Sequence, residues 1–230
     1  MKKNILLIGG SSGIGLATAK LLAERNEVYV ASRSSESLTG LDVNHLAFDV
    51  TTDDLSTLDL PAELSGFVYC PGSINLRPIK GLKPDAFEAD FQINVMGFVR
   101  CLQAILPKLT TNSSVVLYST VAVKVGMPFH ASVAASKGAL EGLGKSLAAE
   151  LAPKTRVNVI APSITNTPLA DRFLNNEAKL EKSAQRHPLK RVGEAGDIAA
   201  MTRFLLSDES SWMTGQIIGL DGGMSTLNTH

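Results

Sequence analysis

The heptapeptide "GGSSGIG", residues 9–15, follows a short apolar run and opens a stretch of helical period. Its Gly9, Gly13 and Gly15 have GxxxGxG spacing. Glycine at the first position permits a tight turn; at the other two it lets the backbone around Ser11, Ser12 and Ile14 approach a pyrophosphate at the start of a helix. The chemistry predicted is dinucleotide phosphate binding, and an ordinary glycine-rich strand-to-helix turn is the plainer alternative. At "VASRSS", Ser32 and Arg33 end the next apolar run, with no carboxylate to accept a bond from a ribose 2′-hydroxyl. A hydroxyl beside a guanidinium suits a 2′-phosphate, so NADP(H) is favoured over NAD(H). The alternative for Arg33 is a solvated surface cation. In "FDV", Asp49 and Val50 offer an adenine an acceptor and an apolar wall, unless Asp49 simply caps the following helix.

Further along, Asn94 stands inside a helical segment, where intrinsic propensity disfavours it. Ser119 and Thr120 supply adjacent hydroxyls at the end of an apolar run, and Lys137 lies in "HASVAASKGAL". His130, weighed as a proton donor, reads as a surface residue in the loop entering that helix. Tyr69 and Tyr118 are the other phenols to weigh, and Tyr118 reads as a buried structural side chain.

Seven β-rich runs must position these groups: "NILLIG", "EVYVASR", "HLAFDV", "GFVYC", "SVVLYST", "RVNVIAP" and "QIIGLDGG". Most are apolar throughout, as strands covered on both faces are, and helical stretches at 14–25, 85–109 and 133–151 separate them. The pattern predicts an α/β fold, a doubly wound parallel sheet of about seven strands with helices on both faces. No repeat or linker interrupts it, so residues 1–230 read as one domain. The polar, charged segment 164–188 reads as a mobile flap over the substrate.

Composition narrows the partners. Lysine plus arginine equals aspartate plus glutamate at 22 each, so no one-signed field would draw in nucleic acid or an anionic membrane. A small-molecule substrate fits better. Cys70 and Cys101 lack metal or redox spacing and suit buried thiols in a reducing cytoplasm. The opening "MKKNILLIGG" has too short an apolar run for an export signal, and nothing is long enough to span a bilayer.

Taken with "INVMGF", "YSTVA", "SVAASKGAL", "RVNVIAPS", "HPLKRVGEAGDIA" and "TGQIIGLDGG", the chain resembles the short-chain dehydrogenase/reductase family nearly end to end. The last blocks look most like the branch containing 3-oxoacyl-carrier-protein reductases. The resemblance implies a nicotinamide cofactor held also by Cys70, Pro71, Gly72, Pro162, Ser163, Thr165 and Thr167. It implies a catalytic serine, tyrosine and lysine, with a helical asparagine supporting a proton relay. Here the lysine is Lys137 and the asparagine Asn94. Val133 stands four residues before Lys137, where the family has its tyrosine, and the serine position falls on Thr120 with Ser119 beside it. The turn after strand four has become "YCPG", and the glycine usually following Pro162 is Ser163. Two expectations follow: an NADP(H)-dependent oxidoreductase with an altered proton donor, or a catalytically silent cofactor-binding homologue serving as partner subunit or nucleotide sensor. The resemblance also implies a homo-oligomer, dimer or tetramer, packed through the helices carrying Asn94 and Lys137. A hetero-oligomer with an active relative is the variant of that expectation.

Overall fold

The computed structural model describes residues 2–228. Its nine strands are β1 (Asn4–Ile8), β2 (Glu27–Ser32), β3 (Asn44–Ala47), β4 (Leu64–Tyr69), β5 (Leu109–Tyr118), β6 (Thr155–Pro162), β7 (Thr165–Asn166), β8 (Gly193–Glu194) and β9 (Ile217–Leu220). The helices are α1 (Gly13–Ala23), α2 (Pro84–Phe91), α3 (Gly97–Ile105), α4 (Ala122–Val125), α5 (Ala131–Leu151), α6 (Asp171–Leu174), α7 (Glu177–Gln185) and α8 (Ala195–Leu206). Seven strands form one sheet in the order β3-β2-β1-β4-β5-β6-β9, and every pairing in it is parallel. All seven expected strands are present.

Strand alternation sends successive side chains to opposite faces, and both faces are covered. From β1, Leu6 and Ile8 pack with Phe98, Cys101 and Ile105 of α3 and Leu140 of α5. The intervening Ile5 and Leu7 pack with Ala19 and Leu22 of α1 and with Ile198 and Leu205 of α8. Each such fully buried aliphatic side chain stabilises the fold by roughly 1.5–3 kcal/mol. This two-sided burial explains why the strand sequences are apolar without alternation. The chain winds outward from β1 through β2 to β3, then returns to place β4 on the other side of β1. The strand order reverses there, and a crevice opens at the carboxyl ends of β1 and β4.

One helix differs from expectation. The helix expected over 85–109 is divided: α2 leads into a π-helical turn at Gln92–Met96, α3 follows, and a 3₁₀ turn at Leu106–Lys108 ends it, so Leu109 already belongs to β5. Pro107 cannot donate the next helical bond, which accounts for that stop. The segment 164–188 contains β7, α6 and α7, and β7 pairs with β8. A small residue of α5 also serves the packing of the helix on the sheet. A Cβ on Gly144 would lie 2.8 Å from Val159 Cγ2, so glycine there lets α5 settle on β6. No helix among the described residues is long and apolar enough to cross a membrane.

Candidate active site

A cleft of about 740 Å³ runs across the carboxyl ends of the central strands. Its floor is the turn from β1 to α1. Gly9 has φ +78° and donates its N–H to the Ala31 carbonyl oxygen at 2.8 Å; Gly13 begins α1 at φ +50°. At Gly15 a Cβ would lie 2.3 Å from the Gly9 carbonyl oxygen, so no other residue fits without moving the turn. Ser12 is the N-cap of α1 with an extended backbone and makes no side-chain cap bond. The first-turn amides therefore face the cleft uncapped, with the helix dipole behind them. Ser11, Ser12 and Ile14 line the same floor.

At the far end, Arg33 is exposed on the cleft edge, whereas Ser32 is buried. The Ser32 hydroxyl donates to the Ser34 carbonyl at 2.9 Å and lies 3.2 Å from His45 Nε2, so it is already engaged and Arg33 is the free group of the pair. Asp49 closes a local turn and caps no helix, since the N-cap of the next helical turn, Leu55–Thr57, is Asp54. Asp49 lines the cleft beside Val50, and its Oδ1 accepts from the Thr51 hydroxyl at 2.6 Å and the Thr51 N–H at 2.9 Å. These bonds hold its carboxyl below the usual range.

The middle of the cleft gathers the remaining expected residues: Cys70, Pro71 and Gly72 after β4, Ser119 and Thr120 after β5, Val133 and Lys137 on α5, and Pro162, Ser163, Thr165 and Thr167 after β6. Lys137 Nζ donates to the Tyr118 carbonyl oxygen at 2.8 Å. Burial pulls the Lys137 pKa down to about 8, against the opposing influence of Cys70 and Asp90. The Thr120 hydroxyl accepts only a long bond, 3.3 Å, from the Ala122 N–H, which leaves its proton available. Ser119 is committed elsewhere, donating to Glu141 Oε1 at 2.5 Å.

Asn94 lies behind the cleft wall instead of in it. It is fully buried in the π turn, a type of distortion frequent at functional sites. Its Nδ2 donates to Ser136 Oγ at 2.9 Å and Ser73 Oγ at 3.3 Å, while Oδ1 has no hydrogen-bond partner. A Cβ on Gly72 would be 3.4 Å from both Asn94 Oδ1 and Lys137 Nζ, which brings the carboxamide and the amine to one spot under the cleft. Sequence reading missed Asp90, whose buried Oδ1 accepts from Ser73 Oγ at 2.6 Å and Asn75 Nδ2 at 2.7 Å. The available signal was its position four residues before Asn94, on the same helical face. Glu141 and His187 were missed too. Neither carried a spacing signal.

Tyr118 is a buried structural phenol, as expected, with its hydroxyl 2.7 Å from Thr202 Oγ1. Tyr69 donates to the Ile93 carbonyl at 2.6 Å, and burial raises both phenol pKa values well above the ordinary range. His130 departs from its surface reading. It is half-buried at the N-cap position of α5, makes no side-chain cap bond and lines the cleft, with Nδ1 2.7 Å from the Pro128 carbonyl.

A family model described as Enoyl-(Acyl carrier protein) reductase matches residues 9–225. The chain belongs to the short-chain dehydrogenase/reductase family. It is 31% identical over 242 residues to the 3-oxoacyl-[acyl-carrier-protein] reductase FabG of Thermotoga maritima, an alignment covering 96% of this chain and 97% of that protein. It is 30% identical to the 2,5-dichloro-2,5-cyclohexadiene-1,4-diol dehydrogenase of Sphingobium indicum, with 98% of each chain covered. Among solved structures, the ligand-free aldohexose dehydrogenase of Thermoplasma acidophilum matches with a TM-score of 0.91 and 25% identity, covering 100% of this chain and 96% of that one. Short-chain dehydrogenase/reductases are oxidoreductases that bind a nicotinamide cofactor. The residues present fit such a group: the Gly9–Gly15 turn is a cradle that a Cβ would fill, the amides of α1 are uncapped, and an amine and a carboxamide converge beneath the cleft.

Proposed function

We propose that this chain is an NADP(H)-dependent oxidoreductase interconverting a small carbonyl compound and its alcohol, at an active site where Val133 replaces the family's tyrosine. The observation carrying this reading is that the Thr120 hydroxyl and the Lys137 amine line one cleft with the glycine cradle, and Val133 faces that cleft one helical turn before Lys137. Bound there, the dihydronicotinamide would supply hydride. Arg33 would hold the 2′-phosphate, Lys137 the nicotinamide ribose, and the turns after β4 and β6 would flank the ring. Thr120 would donate its hydroxyl to the substrate oxygen, where charge develops.

Val133 has no proton to give. Lys137 Nζ takes that duty in this reading, because burial has brought its pKa to about 8, within reach of neutral operation. Without a positioned phenol, turnover should run about 10²–10⁴ slower than with one. The segment 164–188 would close over the substrate, two copies would pair through α3 and α5, and the free thiols fit a cytoplasmic setting.

The test has two arms. Thermal unfolding with NADPH and with NADH should show protection by NADPH above all, and no protection by either would discard cofactor binding. A panel of 3-oxoacyl thioesters, quinones and sugars, with NADPH oxidation followed at high enzyme concentration, should show slow turnover. Protection without any turnover would instead support the catalytically silent homologue, the reading that Val133 favours.

A further inference from the structure

Ser163, in the turn that would flank the nicotinamide ring, is bonded to His187 behind the cleft wall, and the reductase reading gives that bond no role. Ser163 follows Pro162 at the carboxyl end of β6, is half-buried and lines the cleft. Its Oγ is 2.8 Å from Nε2 of His187, and the other ring nitrogen, Nδ1, is 2.8 Å from the Ser183 backbone carbonyl oxygen. A carbonyl oxygen only accepts, so Nδ1 carries the ring proton and Nε2 the lone pair. Ser163 therefore donates its hydroxyl proton to Nε2. His187 is 1% exposed, and its backbone is held in a turn by its N–H to Ala184 and by the Lys190 N–H to its carbonyl, so the ring is fixed. The arrangement has the three parts an activated hydroxyl needs: nucleophile, base, and a third group orienting the base.

The surroundings suit charge separation. A Cβ on Gly222 would lie 3.5 Å from His187 Cβ, so the turn that carries Asp221 packs against His187. Burial pushes the Asp221 carboxyl up, but bonds from the Ser225 and Gly223 N–H groups together with nearby His187 outweigh it, and the carboxyl stays below its ordinary value. An imidazolium would therefore have a carboxylate near it. Lys182 and Arg186, on and just beyond α7, line the same cleft and make no salt bridge among the described residues. They add positive charge to the cleft wall. The Val121 N–H donates to the Pro162 carbonyl at 3.1 Å, so Ser163 sits beside the Thr120 turn and opens on the same chamber.

We propose that Ser163 and His187 are a nucleophile–base pair that accepts the acyl group of an activated ester or thioester admitted to this cleft and passes it to water. Ser163 Oγ bonds to the acyl carbon as its proton moves to Nε2. The bond from carbon to the leaving oxygen or sulfur then breaks, and Nε2 returns the proton to the leaving group. Water attacks the acyl carbon, gives its proton to Nε2, and the carbon–Oγ bond breaks as Ser163 recovers a proton. Acyl ester plus water gives carboxylic acid plus alcohol or thiol, with no change of oxidation state.

The test needs no knowledge of the natural substrate. The intact chain is treated with a fluorophosphonate, the adduct is located by peptide mass analysis, and hydrolysis of p-nitrophenyl acetate is followed in parallel. One adduct is expected, at Ser163, absent from Ser163→Ala and formed about 100-fold or more slowly in His187→Gln, with ester hydrolysis falling alike. No adduct at Ser163, or equal rates with and without His187, would mean the pair merely fastens α7 to β6 and would overturn the proposal. Should His187→Gln fail to fold, Ser163→Cys gives a second readout. Alkylation of that thiol by iodoacetamide at pH 6 is expected, because His187 takes its proton, while burial pushes Cys70 and Cys101 up to about 12 and keeps them silent. An inert thiol there refutes the pair. Protection by NADPH is measured apart, so loss of the reductase reading leaves this one standing.

Discussion

Lys137 Nζ donates a 2.8 Å hydrogen bond to the Tyr118 carbonyl oxygen, tying the middle of α5 to the end of β5. The contact holds the amine under the cleft at a cost in solvation, and burial lowers its pKa to about 8. Between about 8 and the ordinary lysine value near 10.5, the unfolded chain binds a proton that the folded chain does not, so this residue's contribution to stability increases as pH rises through that window. The difference in unfolding free energy between wild type and Lys137→Met should therefore shift in favour of wild type from pH 8 to 10, by on the order of 1–3 kcal/mol. Denaturant melts of both proteins at each pH check it, and a difference that stays flat removes the buried-ammonium argument.

Val133 lines the cleft one helical turn before Lys137, on the same face of α5. If only the acid is missing, Val133→Tyr should raise carbonyl reduction by about 10²–10⁴, provided the new hydroxyl reaches the Lys137 amine. Steady-state NADPH oxidation on any substrate the wild type turns over slowly measures this. No gain would assign the low rate to the wider changes in the cleft.

Arg33 is the exposed cation at the β2 end of the cleft, where the proposed cofactor would carry its 2′-phosphate, while the Ser32 hydroxyl is bound to Ser34 and His45. Arg33→Ala should weaken NADPH binding by about 10- to 100-fold, the loss of a charge-assisted phosphate contact worth roughly 1.5–3 kcal/mol. NADH binding should hardly change. Titration calorimetry with each nucleotide separates the two, and equal losses would place Arg33 away from the 2′-position.

The sheet was legible in the sequence because two-sided burial requires strands apolar throughout, and residues such as Leu6 and Leu7 fill opposite cores with no polar position between them. The glycine cradle was legible for a similar reason, as Gly15 tolerates no Cβ. What escaped were features without local pattern. Asn94 bonds Ser73 and Ser136, and Ser73 bonds Asp90, across segments far apart in the chain, and no periodicity reports that. His187 read as one residue of "HPLKRVG", and its bond to Ser163 exists only because α7 folds back over β6. The commitment of Ser119 to Glu141 likewise needs α5 packed against the end of β5.

The convergence of Asn94 Oδ1 and Lys137 Nζ beside Gly72 makes a last consequence testable. Oδ1 is a buried acceptor without a partner, so a ligand hydroxyl or an ordered water is needed to satisfy it. Asn94→Leu removes that acceptor together with the bonds to Ser136 and Ser73, and should cost about 1–3 kcal/mol of stability. Asn94→Asp keeps the shape and adds a negative charge next to the amine. An opposite charge at that range favours the ammonium, so the Lys137 pKa should move upward from about 8. On the reading that reduction needs the ammonium, the alkaline limb of the pH–rate profile should move the same way, while Asn94→Leu should lower the rate without moving the limb upward. Profiles of the two variants distinguish an electrostatic link from loss of packing. An unmoved limb in Asn94→Asp, with the protein folded and active, would show that the proton in question is not held on Lys137.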